Sequence, residues 1–89
     1  MAWRIEYTDT ARKHLKKLDR EIARRILDYM DDRLLSGGDP RGAGKPLAGQ
    51  ALGNFWRYRV GDYRIICDIE DRVMRVLVVQ IGHRKSINR

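Results

Sequence analysis

Two alternating strands on either side of a two-residue turn constrain this chain more than any other feature in it. From Phe55 to Ile66 the sequence reads FWRYRVGDYRII, and the Gly61-Asp62 pair at its centre is a tight-hairpin signal. NFWRYRV and DYRIICDI form strands around that turn. VMRVLVVQI, after Glu70-Asp71-Arg72, forms a third that is apolar enough to lie inside a sheet. Side chains alternate along a strand, so Phe55, Arg57 and Arg59 share one face, and Trp56, Tyr58 and Val60 share the other. The second set packs against a core while the first carries charge.

Upstream, AWRIEY alternates Trp3, Ile5 and Tyr7 with Arg4 and Glu6, which predicts a half-buried first strand. Thr8 or Asp9 caps a short basic helix with Ala11, Leu15 and Leu18 on its inner face. Asp19 caps a second helix, with Ile22, Ile26, Tyr29, Met30 and Leu34 inward. SGGDPRGAGKP, residues 36–46, sustains neither period and reads as a mobile loop. The order βααβββ predicts an α+β fold, with two N-terminal helices packed on one face of a small, mainly antiparallel sheet and the other face partly available. A chain of 89 residues supports one core, so residues 1–89 are expected to form a single domain.

The single cysteine, Cys67, cannot form an intramolecular disulfide and reads as apolar filling. No apolar run approaches the roughly 18 residues of a membrane span, and the first residues lack the apolar stretch of a signal peptide. The expectation is a soluble cytoplasmic protein with no membrane partner. The net charge of +7 is uneven: residues 1–40 hold 9 Lys+Arg against 8 Asp+Glu, and residues 41–89 hold 10 against 4. A basic half of this kind suits a polyanion or an acidic protein partner.

His14 and His83 are far apart, with no Cys or acidic companions at ligand spacing, so no metal site is expected. The glycines of SGGDPRGAGKP lack the Lys-[Ser/Thr] ending of a phosphate loop. Arg57, Arg59, Arg64 and Arg84 are permanent cations that converge if the sheet brings their segments together. Guanidinium groups form paired hydrogen bonds to phosphate oxygens and stay charged at any working pH. The alternative is that they solubilise the sheet or pair with Asp62 and Asp68. His83 is a candidate for proton transfer near neutral pH, against a structural role after a strand.

KPLAG, FWRYRVGDYRIICDI and IGHRK, in that order behind two helices, resemble the RelE family of type II toxin-antitoxin systems over nearly the whole chain. The resemblance implies a small toxin that enters the ribosomal A site, cleaves translated mRNA and so blocks translation, with no metal or cofactor. It also implies an acidic antitoxin encoded beside it, with operator DNA reached only through their complex. In the family reaction the ribose 2′-OH attacks the adjacent phosphate, leaving a cyclic phosphate and a free 5′-OH.

Carried over by position, Arg57 and Arg59 stand where the family often has lysines that hold or polarise the RNA. Arg64 matches the arginine of a YR motif that stabilises charge on the scissile phosphate, and Arg84 matches an arginine linked to leaving-group departure. Lys45 and Lys85, in KPLAG and IGHRK, join Arg57 and Arg59 as RNA-binding residues. Two departures follow. Arginine at 57 or 59 does electrostatic work rather than base work, since its pKa lies above about 12. Asn88 stands where many members have tyrosine, and an amide is no general base. The resemblance therefore leaves two other readings open: a ParE-type inhibitor of DNA gyrase, and a weakened toxin that serves as an antitoxin-binding module.

Overall fold

The computed structural model describes residues 3–35, 39–46 and 55–83. Strand β1 (Arg4–Tyr7) leads into helices α1 (Asp9–Lys17) and α2 (Arg20–Leu35). A 3-10 turn (Pro40–Ala43) and a two-residue strand β2 (Lys45–Pro46) follow. Strands β3 (Phe55–Val60), β4 (Tyr63–Glu70) and β5 (Arg75–His83) complete the described residues. The sheet order is β1-β5-β4-β3-β2, antiparallel except where β1 runs parallel to β5. The sequence predicted this α+β arrangement with four strands; β2 is a fifth. It lies in the stretch that read as a mobile loop, because a two-residue strand containing proline has no periodicity to detect.

Alternation decides which side of the sheet the helices cover. Tyr58, Val60, Ile65, Cys67, Ile69, Val76, Val78 and Ile81 meet Ala11, Ile26 and Met30 in one core. Strand β5 reaches this arrangement through a bulge. Ile66 pairs with Gln80, but Cys67 pairs with Val78, so Val79 is left over. An extra residue inverts the phase of a strand. The inversion lets Val76 and Val78 face the helices on one side of the bulge while Ile81 does so on the other. Thr8 Oγ1 donates a hydrogen bond to the Val79 carbonyl (3.3 Å) and accepts one from Ala11 N (3.1 Å) as the α1 cap.

β1 covers only the first part of the β5 edge. Beyond it, Thr8 N donates to Val78 O (3.0 Å), and the Ile81 N–H donates to His14 Nδ1 (3.1 Å). His14 thus provides an acceptor that the missing strand would have supplied. At the hairpin, Gly61 takes φ +57 between the paired residues Val60 and Tyr63. A side chain there would be strained. No helix among the described residues is long and apolar enough to cross a membrane.

Candidate anion-binding site

Cross-strand partners share a face. Opposite the helices, the register sets Lys45 beside Arg57 and Arg59 beside Arg64. Arg57 and Arg59, two positions apart on β3, lie roughly 6.6–7 Å apart along the strand. Three strands therefore contribute four cations to one patch, which brings Arg57, Arg59 and Arg64 together as the sequence question of convergence asked and adds Lys45. Lys45, Arg57 and Arg59 line a concavity of about 170 Å³. Arg59 is exposed, Arg57 half-buried, and Arg64, on the central strand, only 8% exposed. A guanidinium withdrawn from water acts more strongly on a nearby anion.

The charges on this face are separated by position. At the far end, Glu6 pairs with Arg4 (3.2 Å) and Arg75 (3.1 Å), and Glu70 pairs with Arg75, while Asp71, in the turn after β4, pairs with Arg41 (2.5 Å). Among the described residues, no carboxylate pairs with Lys45, Arg57 or Arg59. Asp68, a sequence candidate to neutralise the arginines, pairs across the ladder with Phe55. Burial, and then the neighbouring Glu70, push its carboxyl pKa up. Like charges placed opposite one another cost stability. Lys45, Arg57 and Arg59, which no carboxylate among the described residues pairs with, leave charge on this face for an anion from outside.

The other predicted site residues are placed differently. His83 pairs with Tyr63, which packs against the core, and their rings meet edge to face with centroids 5.4 Å apart. Arg64 pairs with Gly82, so His83 lies on the opposite side of the sheet from the arginines. Arg84, Lys85 and Asn88 lie outside the described residues. Cys67 is fully buried, and burial pushes its thiol pKa up, as its reading as core filling requires. Among the described residues, no group of three or more His, Cys, Asp or Glu side chains is arranged to hold a metal ion.

Sequence reasoning missed the connector that carries Lys45. Tyr58, 1% exposed, donates its hydroxyl to the Pro40 carbonyl at 2.6 Å. Asp39 accepts from Arg41 N at 3.0 Å, and this bond, ahead of the Arg41 guanidinium, holds its carboxyl below the usual range. The Asp-Pro-Arg order was the available signal, since Asp before proline favours a side-chain-capped turn.

A family model, the ParE toxin of type II toxin-antitoxin systems (parDE), matches residues 5–88. Toxin RelG of Mycobacterium tuberculosis (strain ATCC 25618 / H37Rv) is 32% identical over 89 residues, covering 100% of this chain and 99% of the relative. Toxin RelE of the same organism is 31% identical over 84 residues, 94% of this chain and 84% of the relative. The toxin-antitoxin complex RelBE2 from Mycobacterium tuberculosis contains a chain that superposes with a TM-score of 0.80 at 28% identity, covering 94% of this chain and 93% of that one. A match to the family model from the first strand nearly to the last residue, on the fold described above, makes this chain a toxin of type II toxin-antitoxin systems, a member of the RelE/ParE family.

Proposed function

We propose that this toxin is a ribosome-dependent mRNA endonuclease whose charged sheet face holds the scissile phosphate. The observation that carries the reading is the grouping of Lys45, Arg57, Arg59 and Arg64 on one face, with the paired carboxylates of that face at its other end. In the proposed step the 2′-oxygen bonds to phosphorus, the bond to the 5′-oxygen breaks, and a proton passes from the first oxygen to the second. Negative charge grows on the phosphoryl oxygens, where preorganised guanidinium donors are most effective. His83 would have to act from the opposite face, so the reading rests on charge stabilisation by arginine. The reaction as written needs no metal or cofactor, and its place is the cytoplasm, with the ribosome.

In vitro translation of a defined mRNA should give codon-phased cuts, slowed about 10²-fold or more by Arg64→Ala. Intact mRNA in the presence of folded wild-type protein overturns the reading.

One observation favours a second reading: the matching family model is that of ParE. Inhibition of DNA gyrase supercoiling with translation unaffected would select it. Under either reading we propose an acidic antitoxin as partner, since the RelBE2 neighbour is a toxin-antitoxin complex and the cation patch accepts carboxylates as readily as phosphates. Operator DNA would be reached through that complex.

A further inference from the structure

We infer that Gly44 and Arg41 are positioning residues, which hold the connector 39–46 against β3 so that the Lys45 ammonium is presented beside Arg57. The inference rests on the reading of the basic concavity as a phosphate site. Lys45 is carried by a strand of two residues, too short to hold its own place in a sheet. A lysine so mounted gains a fixed place from backbone that is fastened beside it, and residues 39–44 on its N-terminal side are so fastened.

The fastening has two parts. At Gly44 a side chain has no room: a Cβ would lie 2.9 Å from the Arg57 carbonyl oxygen and 3.2 Å from Tyr58 Cε2. The nearer atom is backbone and cannot turn aside. Gly44 has φ −122, which any residue adopts, so glycine is needed here for space and not for conformation. Its close approach brings the next residue, Lys45, into register with Arg57.

At the other end, Arg41 bonds Asp39 (3.2 Å) and Asp71 (2.5 Å) and stands over the Trp56 ring, 5.9 Å from its centroid. Pro40, fully buried, receives the Tyr58 hydroxyl. Trp56 and Tyr58 flank Arg57 in sequence and point to the other face. One strand therefore grips the connector with alternate residues and presents Arg57 with the residue between them.

The test uses the purified full chain and a 2′-O-methylated single-stranded oligoribonucleotide, which cannot be cleaved, and measures affinity against salt by fluorescence anisotropy. Each phosphate contact on a single strand contributes about 0.7 to the slope of log K on log salt. Lys45→Ala should lower the slope by about 0.7, Gly44→Ala by the same amount, and the double variant by no more than either. Arg41→Gln, which leaves the core intact, should lower it partway. NMR should show the cross-strand contact between residues 45 and 57 lost in Gly44→Ala while core resonances stay in place.

A wild-type slope for Gly44→Ala or Arg41→Gln removes that residue from the role, and an additive loss in the double variant overturns the inference for Gly44. If Lys45→Ala itself leaves the slope unchanged, the phosphate-site reading fails and the positioning role fails with it. If Lys45→Ala lowers the slope and the other two variants do not, only the positioning role fails.

Discussion

Tyr58→Phe isolates one hydrogen bond. The tyrosine ring is 1% exposed and packs among Ile26, Met30 and Ile65 in the core cluster, and phenylalanine keeps that ring in place. What disappears is the 2.6 Å bond from the hydroxyl to the Pro40 carbonyl, leaving a buried acceptor without its donor. Loss of one partner of a buried pair costs about 1–3 kcal/mol. With no cavity formed, the lower part of that range, about 1–2 kcal/mol, is expected. For a domain of this size each kcal/mol moves Tm by roughly 4–8 °C. Urea unfolding followed by circular dichroism should show a lower midpoint at unchanged slope.

The pH dependence gives a second readout of the same bond. Burial pushes the Tyr58 hydroxyl pKa above its ordinary value of 10.0, so an unfolded tyrosine ionises first as pH rises. Wild type should lose stability above pH ~10 more steeply than the variant does. A loss below about 0.5 kcal/mol would show that water replaces the hydroxyl at Pro40. A loss above about 4 kcal/mol would show that the ring itself had moved, and in either case the Tyr58–Pro40 bond is not what the substitution measures.

Three further outcomes follow from the same structure. Arg59→Gln relieves the like-charge pairing with Arg64; it should raise stability by about 0.2–1 kcal/mol at low salt, lose that gain at high salt, and weaken cleavage in the translation assay. His14→Leu keeps apolar bulk on α1 but removes the acceptor of the Ile81 N–H, at a cost of about 1–3 kcal/mol in chemical denaturation. Cys67 should resist thiol reagents in the native protein; because burial pushes its pKa above the ordinary 9.0, native stability falls as pH rises past ~9, where only the unfolded thiol ionises, and Cys67→Ala should flatten that fall.

The hairpin, both helices and their inward residues other than Leu34, whose side chain lies outside the description, were legible because each depends on a local period and a nearby cap or turn. Thr8 caps α1 as its position predicts, and the Gly61-Asp62 turn joins β3 to β4. The run VLVVQI in β5 was not fully legible, since its apolar residues switch phase at Val79 and a bulge leaves no mark in an alternation count. Lys45 was readable as a basic residue near the hairpin, but its place opposite Arg57 was not. That place depends on Gly44 meeting a carbonyl thirteen positions further on. His83 read as a candidate for proton transfer, whereas strand register carries it to the face opposite Arg64.

The order of residues was enough to place both helices and strands β1, β3, β4 and β5, the apolar face of each of these except β5, and the excess of positive charge in the second half. These properties follow from backbone periodicity and composition, which are local or additive. Tertiary packing alone sets β1 parallel to β5, completes the β5 edge with Thr8 and His14, and stands Lys45, Arg57, Arg59 and Arg64 together while Glu6 and Glu70 of the same face pair with Arg75. Pairing between strands is set by a core that many distant residues must fill at once, so no local stretch encodes it.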